Sequence, residues 1–330
     1  MNFNKLKFYF FNRQFRKTKP KNIFYGAQRK EIRKIYEEKK INKILFVQNQ
    51  IGRGGGKWLM DILNTIETVT AYGERNPHQE AYYRYCCSHE NENYNTEFLD
   101  LVKSEIISDW EKSDVSYISS PYFSHGIDYL YNELGPKKIV ILLPSAKKVM
   151  TSLKNKGWYE KNIDVNINNF SDLPKEFNGN ENHFYGRMIN LNIKDEEFRN
   201  ASQAGKIAIF MSQTLKKIYQ QISQFENNKV LIFRLDEADQ NYSYCKNFIK
   251  KLDLDLLISE KKFLKLKTRT SGKFENKSLD LSIKTHDVSG KWPNQNKTSG
   301  KRHSLGFPSF FVNMATFFMH FLSLFFNTPH

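Results

Sequence analysis

The residues best placed to do chemistry are Gln50-Ile51-Gly52-Arg53-Gly54-Gly55-Gly56-Lys57-Trp58-Leu59. Three consecutive glycines allow a backbone to approach a ligand closely, and Arg53 and Lys57 add positive charge on either side. The apolar run Lys43–Gln48 (KILFVQ) before them predicts a short buried strand, and the periodic run 57–69 (KWLMDILNTIETV) after them predicts a helix. A glycine-rich loop between strand and helix presents backbone N–H groups and the positive end of the helix dipole, an arrangement that favours a phosphate. The alternative is a glycine-rich turn with no ligand.

The spacing excludes two common phosphate loops. The Walker A pattern needs Gly, four residues, then Gly-Lys-Ser/Thr. Here Ile51 stands where the first glycine should be, and Trp58 replaces the hydroxyl that would hold magnesium. No Gly-x-Gly-x-x-Gly registers on these positions either, so an ordinary ATPase, GTPase or dinucleotide enzyme is not expected.

The elements that must position the loop can be read along the chain. Further strands are predicted at 138–143 (KIVILL), at 229–235 (KVLIFRL) and, more weakly, at 115–119. Helices are predicted at 145–156, 198–225 and 242–252. Continuous apolar runs alternating with helices indicate α/β class, a three-layer arrangement of a parallel sheet with helices on both faces. Ligands of such sheets bind beyond the carboxyl ends of the strands, which places the glycine loop and the loop at 143–147 on one rim. The expected organisation is a basic N-terminal arm (1–42), an α/β core (43–257), a basic, weakly periodic loop region (258–305) that would cover a cofactor, and an apolar Phe-rich segment (306–330).

The net charge of +16 in 330 residues is unevenly spread. Residues 1–43 hold 14 Lys/Arg against 3 acids and residues 258–302 hold 12 against 4, which leaves 25 against 28 elsewhere. A nucleic-acid binder should carry a basic stripe through its fold, so no nucleic-acid partner is expected. Three cysteines, two of them adjacent (Cys86, Cys87 and Cys245), make neither a disulfide framework nor a zinc spacing. No metal is expected, and a reducing cytoplasm fits. The N-terminus lacks the uninterrupted apolar run of a signal peptide. Phe307–Phe326 (FPSFFVNMATFFMHFLSLFF) is uncharged and long enough to span a bilayer. However, Ser309, Asn313, Thr316, His320 and Ser323 would share one helical stripe. Spanning, lying in a membrane interface and packing on the protein are therefore all open, and membrane association is a candidate property.

The chain resembles the sulfotransferase family, whose strand–loop–helix carries a motif like Pro-Lys-Ser-Gly-Thr-Thr-Trp-Leu around a 5′-phosphosulfate. On that motif Arg53 takes the place of the lysine, Gly55 of the glycine, and Trp58-Leu59 of Trp-Leu. Gly54, Gly56 and Lys57 replace the hydroxyl residues. In the family a strand ending in Arg-Asp-Pro leads to Val-x-x-Ser in a helix. Here Val149 and Ser152 match, Pro144 stands at the arginine, and Lys147 and Lys148 would supply the charge. Val230–Asp255 is similar to the family's late strand and acidic turn, and Ser289-Gly290-Lys291-Trp292 to its C-terminal Gly-x-Trp loop.

The resemblance covers about residues 43–295. It implies a P-loop-NTPase-like sulfotransferase fold and an enzyme that takes a sulfuryl group from 3′-phosphoadenosine-5′-phosphosulfate (PAPS). Gly52, Arg53, Gly54, Gly55, Gly56, Lys57, Trp58, Lys147, Lys148, Ser152 and Lys291 would bind that cofactor. Arg53 would stabilise the leaving oxygen. Glu74 or His125 would be the base that activates an acceptor hydroxyl or amine, with His78 a third option. Trp58 would either stack on adenine or pack in the core. The acceptor, a carbohydrate or lipid among the options, is not specified. A nucleotide-binding relative without transfer activity is the alternative, and a nucleotide kinase is a weaker reading.

Overall fold

The computed structural model describes residues 26–52, 55–88, 95–160, 189, 195–238 and 241–270. Five parallel strands form one sheet in the order β2-β3-β1-β4-β5. They are β1 (Ile44–Asn49), β2 (Val69–Gly73), β3 (Val115–Ser120), β4 (Lys138–Leu143) and β5 (Val230–Arg234). The α/β class expected from alternating buried runs and helices is therefore present.

Helix α1 (Gly26–Lys40) precedes the sheet. Helix α2 (Gly56–Leu63) follows β1; α3 (Pro77–Ser88) and α4 (Asn95–Trp110) follow β2. A 3₁₀ turn (Pro121–His125) and α5 (Ile127–Leu134) follow β3. After β4 come α6 (Ala146–Asn155), α7 (Asp195–Asn200) and α8 (Gln203–Ile222). After β5 come α9 (Leu235–Ala238), α10 (Tyr242–Lys250) and α11 (Glu260–Thr270).

Alternation along β1 sorts the two faces. Leu45 and Val47 point into a core with α1, α3, α4, α5, α6 and α8, where Tyr36, Phe98, Trp110, Leu130, Leu153 and Phe210 are buried. Phe46 points the other way, into a core of Leu59 and Ile62 from α2, Phe248 and Ile249 from α10, and Phe263 from α11. The interior strands are buried on both sides, which is why β1 and β4 carry apolar runs at 44–47 and 139–143, while the buried serines of β3 serve the polar network at its end.

The elements depart from the sequence expectation in places with identifiable causes. The helix predicted over 57–69 stops at Leu63, and residues 69–73 become the edge strand β2. The stop is made by Asn64, whose Nδ2 donates to Ala71 O and whose Oδ1 accepts from Ala71 N, both at 2.8 Å. Part of the basic segment 1–42 is a packed helix. Tyr36 of α1 is fully buried, stacks on Trp110 at 5.2 Å and donates to Leu134 O at 2.7 Å. The predicted helix 198–225 divides into α7 and α8, because Ser202 caps α8 by accepting from Gly205 N at 3.1 Å. Region 258–305, read as a loop, opens with α11, which buries Phe263 against Trp58 and Tyr242. The remainder of that region and Phe307–Phe326 lie outside the described residues. Among the described residues no helix is long and apolar enough to cross a membrane.

Candidate functional site

The loop after β1 lies where the covering helices diverge. Helix α2 goes to one face of the sheet, whereas the helices after β2, β3 and β4 go to the other. Strand β1 is flanked by β3 and β4, so its carboxyl end lies where the connections part, the place where open parallel sheets receive ligands. Gly52 has φ +103°, and a Cβ there would lie 3.5 Å from Pro121 at the end of β3. Gly55 caps α2 with φ +82° and abuts Leu235 at the end of β5, within 2.6 Å of where a Cβ would sit. The loop thus threads between the ends of β3 and β5, and both glycines occupy backbone conformations that side chains rarely adopt.

Beneath the loop lies a buried polar network. Tyr117 donates to Gln48 Oε1 at 2.7 Å, and Gln48 Nε2 lies 2.8 Å from Ser119 Oγ and 3.4 Å from Gln50 Oε1. Burial pushes the Tyr117 hydroxyl far up, so it remains a donor. A Cβ on Gly56 would come within 2.7 Å of the Gln50 amide and 2.9 Å of Gln48 Nε2. The network sets the height of the first turn of α2, whose leading N–H groups have no carbonyl of their own helix to bond.

The second part of the site is a narrow cleft of about 20 Å³ beyond the ends of β2 and β3, lined by Tyr72, Glu74, Arg75, Asn76, Glu80 and Glu105 among others. Glu74 is exposed, held at φ +50°, with its N–H bonded to Ser119 O at 3.2 Å. Glu80 is buried, 2.6 Å from Ser120 Oγ, and accepts from Asn76 N at 3.1 Å. Its burial outweighs those bonds and pushes its pKa up to about 8. Burial likewise pushes Glu105 up to about 7, although Arg75 and the Asn76 amide that bonds to it pull down. Arg75 is anchored to buried Asp109 at 2.5 Å and covers the Tyr72 ring at 4.0 Å. Ser116 fixes the other Asp109 oxygen at 2.7 Å. The cleft adjoins the glycine loop through Ser120 and Pro121, which touch Glu80 and Gly52 respectively. The carboxyls of Glu80 and Glu105 can accept or give a proton near neutral pH.

Of the residues singled out from the sequence, Gly52 and Gly55 lie between β1 and α2 and Gly56 opens α2, while Arg53, Gly54 and Lys291 lie outside the described residues. Lys57 is largely exposed and pairs with Asp61 at 3.1 Å. Trp58 is buried against Phe233 and Phe263, so its ring serves the core. Lys147 is exposed near the start of α6; Lys148 lies 3.3 Å from Asp236. Ser152 is buried on the inner face of α6 with Val149 and Leu153. Glu74 lines the cleft; His125, buried in the 3₁₀ turn, is not among the cleft residues. The position of His78 is limited to the first turn of α3.

Glu80, Glu105 and Asn76 are the cleft residues that sequence reading missed. A signal existed for Glu80. Asn76-Pro77 opens a helix, and a glutamate four residues on reaches back to the Asn76 N–H, close to a capping box. Among the described residues no group of three or more His, Cys, Asp or Glu is placed to hold a metal ion. Neither the family models nor the curated proteins include a match to this chain.

Proposed function

We propose that the chain is a sulfotransferase with a P-loop-like fold that binds PAPS across the glycine loop and transfers its sulfuryl group to a hydroxyl or amine held in the adjoining cleft. The observation that carries this reading is the position of the loop. Glycines at positive φ lead into α2 above the central strand, where the covering helices part.

Sulfuryl transfer, like phosphoryl transfer, moves a trigonal group in line, with charge on its equatorial and leaving oxygens. The acceptor oxygen or nitrogen forms the new bond to sulfur, and the bond from sulfur to the phosphate oxygen breaks. The electron pair leaves on 3′-phosphoadenosine-5′-phosphate. Arg53, with the first N–H groups of α2 and Lys57, would stabilise that leaving oxygen; an arginine stays charged and gives no proton. The acceptor proton would pass to Glu74, the exposed carboxylate of the cleft. Glu80 and Arg75 would hold its wall.

A second reading, binding of the nucleotide without transfer, has a specific support. Pro144 stands where the resemblance expects an arginine, Lys148 is shared with Asp236 and Ser152 is buried. All three weaken the grip on a 3′-phosphate.

Calorimetric titration with 3′-phosphoadenosine-5′-phosphate, with AMP as control, tests both. Binding that prefers the 3′-phosphate and weakens at least tenfold in Arg53→Ala supports a PAPS site. Equal affinity for AMP would sink the sulfotransferase reading.

A further inference from the structure

Arg84 of α3 is fully buried against α8. Its Nη2 donates to Thr214 Oγ1 at 3.1 Å, and its guanidinium carbon lies 4.9 Å from the centre of the Phe210 ring. Its Nε–H is buried with no acceptor, and no carboxylate pairs with it among the described residues. Burial pushes its pKa down to about 9, with only Tyr159 opposing, so it is still a cation at neutral pH. The other buried arginine-anchoring sites differ sharply. Arg75 has Asp109, and Arg29 and Arg33 share Asp100.

Lys206, Phe210 and Thr214 are spaced by four on α8 and share one stripe. Lys206 is buried too, with Nζ 5.9 Å from the Phe198 ring centre, and burial lowers its pKa. Tyr159, held at φ +58°, packs edge-on to Phe198 and against Phe210. A guanidinium cannot shed its charge as a buried lysine does, so a fold that buries one pairs it with an anion or bears a large desolvation penalty. Its planar fork suits a tetrahedral oxyanion.

We infer that the seam between α3 and α8 is an oxyanion site, in which Arg84 holds a phosphate or sulfate group with Thr214 beside it and Lys206 further along the same face. This site is separate from the glycine loop and does not rest on the nucleotide reading. The uncompensated charge also lowers the cost of parting the two helices, which admits the anion.

The test is thermal unfolding of the full chain in chloride at fixed ionic strength, with inorganic phosphate or sulfate exchanged in to 10 mM. For millimolar affinity the wild-type midpoint should rise by roughly 2–4 °C. Arg84→Met should fold, match or exceed the wild-type midpoint in chloride, and lose the rise. Arg53→Ala/Lys57→Ala should keep it. No rise in the wild type, an undiminished rise in Arg84→Met, or its loss in the glycine-loop variant would each overturn the site. Should Arg84→Met not fold, Arg84→Lys replaces it. There a tenfold loss of phosphate affinity by calorimetry supports the site, and unchanged affinity overturns it. Glucose 6-phosphate sorts the sources: a rise equal to that with inorganic phosphate supports binding of an ester, and a rise with the inorganic ion alone supports binding of the free oxyanion.

Discussion

Glu80 shows what a single buried carboxyl does to the chemistry of its surroundings. Its pKa of about 8 means the folded chain holds a proton there that the unfolded chain, titrating near 4.5, has lost. A raised pKa stabilises the fold below the unfolded value, and that contribution is lost as pH rises through 8. Wild-type stability should therefore fall between pH 5 and 9. Glu80→Gln, which stays neutral, should lose on the order of 2–4 kcal/mol less over that range, as denaturant unfolding at each pH will read. A steeper fall in the variant would contradict the assignment. Gly56 is the second informative residue. Gly56→Ala pushes a methyl into the amides of Gln48 and Gln50, and the network that sets the loop must shift. A destabilisation of about 1–2 kcal/mol is expected in denaturant unfolding, and under the proposed function a fall of at least tenfold in affinity for 3′-phosphoadenosine-5′-phosphate in calorimetry.

Among the elements, α1 is the one whose attachment is most open to test. Its basic residues do not merely solvate a surface. Arg29 and Arg33 reach Asp100 of α4 at 2.5 and 2.7 Å, and the Asp100 side chain is only 2% exposed. Burial pushes Asp100 up, but the two guanidiniums overcome it and hold the carboxyl below its ordinary range. Asp100→Ala leaves two arginines facing each other without the carboxylate they share, with only Glu97, 3.9 Å from Arg29, as a direct partner among the described residues. It should cost about 2–3 kcal/mol, seen as a lower unfolding midpoint, whereas Arg33→Ala alone should cost less because Arg33 is more exposed. At the far side of the sheet, Asn64 makes the turn from α2 into β2 with paired bonds to Ala71. Asn64→Ala should destabilise by about 1–2 kcal/mol and loosen the strand that carries Tyr72 into the cleft, visible as faster amide exchange in residues 69–73.

On the scale of the whole molecule, one sheet is shared by two separate cores. Trp58 reports on one, and Trp110 and Trp158 on the other. Neither core can keep its shape once the shared strands open, so urea unfolding followed by fluorescence in Trp58→Phe and in the double variant Trp110→Phe/Trp158→Phe should give coincident transitions with far-ultraviolet circular dichroism. Separate transitions would show that the layers unfold independently.

Much of this was legible in the sequence alone. Strands β1 and β4 announce themselves because sheet interiors covered on both faces demand unbroken apolar runs, β5 by its apolar run Val230–Phe233 although it lies at the sheet edge, and the glycine loop because close backbone approach demands glycine. Strand β2 was not legible: an edge strand of five residues buried on one side needs few apolar residues, and its start overlaps a run with helical periodicity. Helix α11 was hidden for a similar reason, since Phe263 is its one fully buried side chain among those described. What the tertiary structure alone decided is the company each side chain keeps. Glu80 meets Ser120, Arg84 meets Phe210 without a counter-ion among the described residues, and Trp58 turns from the loop into the core. Local sequence specifies which elements form, because propensity and periodicity act over a few residues. Contacts between elements 40 to 130 residues apart, and the pKa shifts they impose, exist only when the sheet and its two layers close.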